Sequence, residues 1–224
     1  MMSVLPLAFR HALPVMLGYI PLGMAFGVLF QSLGYACWLA PLSGVIIYAG
    51  SAQFLAVGLL SAGAGLLEAF IATLAINSRH IFYGLTLIHR YPSSGWKRWY
   101  LIFGLTDETY AVVTHHAVTE KESDRYYFLV TLLNHLAWIL GCALGAGIQS
   151  MFAFNSDGFE FSMVALFLVL LIDRLRHVQH LSYAASSAMM VFVSWWLLPE
   201  HFLLLSLMGI LAMSLWAYRK EVAA

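Results

Sequence analysis

"HALPVMLGYIPLGMAFGVLFQSLGYACWLAPLSGVIIYAGSAQFLAVGLLSAGAGLL" fills residues 11–67 without one Asp, Glu, Lys or Arg. A bilayer core calls for about 20 apolar residues per spanning helix. This run is therefore long enough for more than one crossing. Outward from it the pattern repeats, with residues 126–156, 177–199 and 201–218 equally free of those four residue types. The chain of 224 residues is 62% hydrophobic and 10% charged. Ordinary soluble domains are about 45–50% apolar and about 25% charged. The reading is an all-α polytopic membrane protein, forming a single integral membrane domain over 1–224.

The apolar segments run approximately 13–33, 40–60, 66–88, 99–118, 126–149, 160–176 and 180–218. The last can hold two helices split near Pro199 and Glu200, so the count is about seven, within six to eight, at the length a bilayer requires. The most hydrophilic loop is "TEKESDRY" (119–126). The N-terminus lacks a basic region ahead of its apolar stretch and a clear cleavage site, so it is expected to be retained. Net charge is zero, which gives no electrostatic footprint for nucleic acid. Cys37 and Cys142 lie in apolar surroundings and read as small buried hydrophobes. His177 and His180 form an HxxH without accompanying carboxylates or cysteines, so no metal or cofactor is expected.

Several segments are poor continuous helices. The first carries Pro14 and Pro21 among glycines, the second "YAGSAQF" (48–54), the fourth "FGLTDETY" (103–110). Proline removes a backbone donor, and irregular backbone survives at membrane depth only where protein or a water-filled cavity covers it. Transporters place their binding sites at such breaks. An internal echo points the same way. "LGMAFGVLFQS" (22–32) matches "LGCALGAGIQS" (140–150) at six of eleven positions. Both carry a small-xxx-small pair, Gly23/Gly27 and Gly141/Gly145, which allows close helix approach. The echo suits an internal repeat, parallel or inverted, and chance among Gly-rich helices competes with it.

Orientation poses a conflict. Arg90, Lys97 and Arg98 make the 89–98 loop cytoplasmic by the positive-inside rule, and Arg10 asks the same of the N-terminus. Three full spans between them cannot satisfy both. One of the first three segments is re-entrant or broken, with "YAGSAQF" the best candidate, or the rule fails at one loop. The slightly acidic 119–125 loop suits the opposite side.

"NSRHIFYG" (77–84) puts a cation inside an apolar run. A charge at the centre of a spanning helix costs about 2.5–3.5 kcal/mol on insertion scales. Arg79 lies roughly 13 Å from the segment end at Ile88, near the limit of snorkelling. Asp107 and Glu108 are the obvious counter-charges, and an internal ion pair is the structural alternative to a functional role. Thr106 and Asp107 also read as a helix N-cap. For a transported zwitterion, helix N-termini and Arg79 are candidates for the carboxylate. Asp107, Glu108 and His80 are candidates for proton coupling, Asp107 or Glu108 also for the ammonium. Gly50, Ser51, Gln53, Asn77 and Thr106 are candidates for neutral hydrogen bonds in a substrate site. No HExxH or GxSxG occurs. An intramembrane hydrolase using Ser51 and His80, and a channel with a polar cavity around Arg79 and Asp107, remain as alternative classes.

The motifs "YAGSAQFLAVGLL" (48–60), "INSRHIFYGLTL" (76–87) and "FGLTDETYAV" (103–112), with "LPVMLGYIPLGMAFG" (13–27) ahead of them, resemble the AzlC family. The resemblance covers most of residues 10–175, in order and with similar spacing. It implies the large subunit of a branched-chain amino acid exporter in the bacterial inner membrane, handling valine, leucine and isoleucine, with methionine as a further candidate. It also implies a small AzlD-type membrane subunit as partner.

Overall fold

A computed structural model describes residues 4–87, 90–91, 95–116, 120–152 and 181–199, with scattered positions between 161 and 172 and between 205 and 216. The expected segment 160–176, the His177/His180 pair and much of 200–218 lie outside the described residues. The chain divides into two units, Met1–Gly58 with Ser78–Met163, and Leu59–Asn77 with Val164–Ala224.

The first unit is built on two long helices, α1 (Val4–Ser32) and α8 (Glu120–Phe152). The 29 residues of α1 extend about 43 Å at ~1.5 Å per residue, more than the ~30 Å of a hydrocarbon core. Both helices expose leucines, among them Leu13, Leu17, Leu136 and Leu140, as suits a lipid-facing surface. α1 is continuous through Pro14 and Pro21, against the expectation of a broken first span. Its remaining hydrogen bonds have no water to compete for them in an apolar medium, and close packing along α8 holds the axis.

That packing is a glycine seam. A Cβ on Gly23 would stand 2.9 Å from the Trp138 carbonyl oxygen, and one on Gly141 2.6 Å from that of Ile20. One on Gly27 would strike the Cys142 carbonyl, and one on Gly145 that of Met24. Contact positions rise together along both chains, so α1 and α8 run parallel. The echoing segments meet in register, each glycine against the residue three before its counterpart.

Between them in the chain come shorter helices: α2 (Leu39–Ile46), α3 (Gly50–Ser61), α4 (Leu66–Asn77), α5 (Arg79–Leu87), α6 (Trp96–Phe103) and α7 (Asp107–His115). α2 and α6 have eight residues each, about 12 Å of rise, which is half a membrane. Their contacts show where they turn. From the C-terminal end of α1, α2 runs inward until Gly44 meets Trp138 and the His135 Nε2 lies 3.1 Å from the Gly44 carbonyl. Then α3 runs back: Gln53 donates to Ser43 at 3.0 Å, and Phe54 packs on Phe26 at 5.9 Å.

α6 and α7 do the reverse from the other face. Trp96 packs on Phe128 at 5.5 Å, and Phe103 reaches His135 at 5.8 Å. α7 then returns until His116 stacks on His11 at 3.7 Å. α2–α3 and α6–α7 thus form helical hairpins that enter from opposite ends of the α1–α8 pair, and the eight-residue first arm of each is too short to span a bilayer by itself. Leu87 and Tyr91 share a buried cluster with Val4, Ala8, Tyr126 and Tyr127.

This arrangement resolves the orientation conflict. Arg10, the described part of the 89–98 loop (Arg90, Tyr91 and Gly95–Arg98) and the start of α8 lie at one face. The 119–125 stretch, expected as a loop on the opposite side, is helical from Glu120 and shares this face, because the α6–α7 hairpin ends where it began. Its Arg125 joins the cations there.

In the second unit, α4 opens with the Gly65 N–H donating to the Glu68 carboxylate at 3.2 Å. α9 (Leu181–Leu197) ends just before Pro199, as the proline split predicts. Gly209 lies against Met190, 2.7 Å from where a Cβ would stand.

Gly27→Leu should cost on the order of 1–3 kcal/mol by overpacking the seam. Gly147→Ala, with no described atom within 4 Å, should be neutral. Thermal melting of detergent-solubilised protein distinguishes them. In intact cells a membrane-impermeant thiol reagent should label Cys37 from outside, and a cysteine at Lys97 in a Cys37→Ser background only after permeabilisation.

Candidate functional site

The two hairpin tips meet near the middle of α1 and α8. One tip is Ile47–Gly50. Tyr48 there is buried with φ +41°, in the left-handed region. For a bulky residue this costs about 1–3 kcal/mol and needs surroundings that fix it. The ring stacks on His135 at 4.2 Å and stands edge-on to Tyr19 at 6.4 Å. The other tip is Gly104–Thr106. A Cβ on Gly104 would collide with the Thr131 methyl, and the Tyr48 ring lies 3.7 Å from the same point. Only glycine lets the second tip come this close to α8.

Thr106 caps α7. Its Oγ1 accepts from the Thr109 N–H at 3.2 Å, as the sequence suggests. The hydroxyl of Tyr19 is 2.7 Å from that Oγ1 and donates to Glu108 Oε2 at 2.6 Å. Asn134 donates to Thr109 Oγ1 at 3.1 Å. The start of α7 is thus fixed to both long helices.

Arg79 opens α5, one residue past the break at Ser78. Asn and Ser side chains compete for backbone hydrogen bonds and favour such interruptions. Arg79 forms an ion pair with Asp107 through Nη1 and Oδ2, and its Nη2 donates to Ser51 Oγ at 2.9 Å. Both charged side chains are 25% exposed. Arg79 Nε and Asp107 Oδ1 are buried without a hydrogen-bond partner. The N-termini of α3, α5 and α7 therefore converge on one spot, at Ser51, Arg79 and Asp107. Each brings the positive end of a helix dipole.

The expected residues sort by position. Ser51, Arg79, Thr106 and Asp107 come together, with Glu108 one residue on and exposed. Gly50 starts α3 with its Cα against Trp138, where a Cβ would stand 3.1 Å from the ring. Gln53 is only 1% exposed; it accepts from the Trp138 indole at 2.9 Å and donates to Ser43. Its amide clasps the first hairpin shut. Asn77 ends α4 in the other unit. The helix stops between Asn77 and His80, so the two do not share one continuous helix face. His80 lines a separate cavity of about 450 Å³ with Leu85, Arg98 and Leu105. Sequence reasoning missed Tyr19, Asn134, His135 and Trp138. They are ordinary members of long apolar helices, and only their depth opposite the tips marks them.

Among the described residues no cluster of three or more His, Cys, Asp or Glu could hold a metal. A protein family described as AzlC protein matches residues 14–152. A branched-chain amino acid transport protein AzlC from Bacillus subtilis is 36% identical over 78% of this chain and 70% of its own length. An uncharacterized membrane protein of Helicobacter pylori is 36% identical over 96% of this chain and 95% of its own. Inner membrane protein YgaZ of Escherichia coli is 29% identical over 79% of this chain and 76% of its own. No solved structure matches.

Thr106→Ala should cost about 1 kcal/mol through the lost cap, and Thr106→Ser should recover most of it. Melting temperatures of the two purified variants test this.

Proposed function

The chain belongs to the AzlC family, and on that premise we propose that it exports branched-chain amino acids across the bacterial inner membrane, driven by the proton gradient. It is the large subunit, working with a small AzlD-type membrane subunit. Relatives named as membrane proteins and a relative named for branched-chain amino acid transport support amino-acid transport in a membrane. The Arg79–Asp107 pair at three converging helix N-termini carries the rest.

An ion pair is a template for a zwitterion. An amino acid entering between the two partners sets its carboxylate on Arg79 and its ammonium on Asp107. Net charge in the site is unchanged, so neither buried group is left uncompensated. The N-termini of α3 and α5, with Ser51, add donors for the carboxylate. The two tips act as gates, because each reaches the site from one face only. Opening one hairpin admits substrate from its side while the other stays closed. Asp107, or Glu108 held by Tyr19, takes the coupling proton when the substrate leaves.

Hydrolysis fits less well. The Ser51 hydroxyl accepts from Arg79, which lowers electron density on the oxygen instead of removing its proton. A channel would need a continuous polar path, whereas the packing of Tyr48 on Gly104 and His135 favours a closed midpoint.

Asp107→Asn should abolish proton-coupled efflux from cells fed a valine-containing dipeptide while protein levels stay normal; wild-type export by this variant sinks the coupling role. The swap Arg79→Asp with Asp107→Arg should stay inactive because substrate contact depends on which helix bears the cation. Restored export would make the pair purely structural.

A further inference from the structure

The cavity beside His80 lies between α5 and α6, on the face that carries the cationic loops. Its wall on α5 runs from His80 and Ile81 to Leu85, and on α6 from Arg98 to Ile102, ending at Leu105. His80 and Leu105 adjoin Arg79 and Thr106 in the chain, so the deep end reaches the tip of the α6–α7 hairpin. Arg98, in the first turn of α6, and Tyr91 stand at the shallow end. The volume of about 450 Å³ falls within the ~300–1,000 Å³ usual for small-molecule sites.

Gly84 gives this space its meaning. It sits inside α5 and lines the cavity. Among the described residues no heavy atom lies within 4 Å of where its Cβ would stand. The glycines of the α1–α8 seam are required by close packing; Gly84 is not. A mid-helix glycine weakens a helix relative to alanine, and here no packing offsets that loss. What Gly84 contributes is the room that any side chain would fill.

We infer that this cavity is a cytoplasmic docking site for aliphatic α-amino acids, with the carboxylate at Arg98 and the branched side chain among Ile81, Leu85, Ile102 and Leu105. It rests on the export reading and adds a place where side-chain size is selected before the substrate reaches Arg79. Gly84 is the specificity-determining residue, because it sets the width of the apolar part. Arg98 acts on every substrate alike, because all carry the same carboxylate.

The test is initial efflux from cells loaded to known internal concentrations of isoleucine or alanine, with protein levels measured alongside. Gly84→Leu should raise the half-saturating isoleucine concentration at least tenfold and leave that for alanine within twofold. Arg98→Gln should raise both by a similar factor. Gly84→Ala, a milder filling that helix formation tolerates, should give about a threefold rise for isoleucine; it carries the test if Gly84→Leu does not accumulate. Unchanged isoleucine saturation in an active Gly84 variant overturns the docking site alone, as does equal loss of both substrates in Gly84→Ala. No wild-type efflux of either amino acid overturns the export reading and the docking site together.

Discussion

A helix that stops inside a membrane leaves N–H and C=O groups that no lipid can satisfy. Everything at the centre of this protein follows from gathering such stops in one protected place. The breaks at Tyr48–Ala49 and Gly104–Thr106 lie together against the middle of α1 and α8, and the break at Ser78 is tied to them through the Arg79 side chain. There Thr106 caps one end, Ser51 meets Arg79, and His135 approaches the Gly44 carbonyl. The seam of Gly23, Gly27, Gly141 and Gly145 makes this possible. It brings two unbroken helices close enough to form one wall, against which both hairpins lean.

The membrane class, the kinked polar stretches and the small-residue pairs were legible in the sequence, because each is a local pattern. The α7 cap was legible for the same reason. The direction of each broken segment was not. A helix broken at its middle and a hairpin have the same composition and the same length. Only the conflict between Arg10 and the 89–98 loop held the information, and it is a parity argument that needs a third dimension to settle. Gln53 shows the other limit. As a polar residue in an apolar run it resembles a substrate ligand, yet the Trp138 indole 85 positions away claims its carbonyl. The prolines of α1 misled because intrinsic propensity is a weak guide where a neighbouring helix fixes the axis.

Tyr48 carries strain that the surroundings hold in place. Its ring fills the gap between the tips, touching the point where a side chain at Gly104 would begin. A residue in an uncommon backbone region at the contact of two hairpin tips persists only because the packing around it fixes it there. The family relationship and the geometry meet here: a relative named for branched-chain amino acid transport, and a fold whose centre is two opposed hairpin tips.

The hairpins also shape the electric field. Each is about 12 Å deep on its first arm, and between their tips the chain is little more than Tyr48 against Gly104 thick. Where water reaches the flanks of both hairpins, the transmembrane voltage drops across that thin layer instead of the full bilayer. A proton moving a few ångströms past the tips then captures most of the ~2.3 kcal/mol available per charge at 100 mV. A zwitterion making the same step captures none. Under the proposed proton-driven export, electrical work would fall to the proton, and the amino acid would follow its own concentration and the pull of the coupled ion.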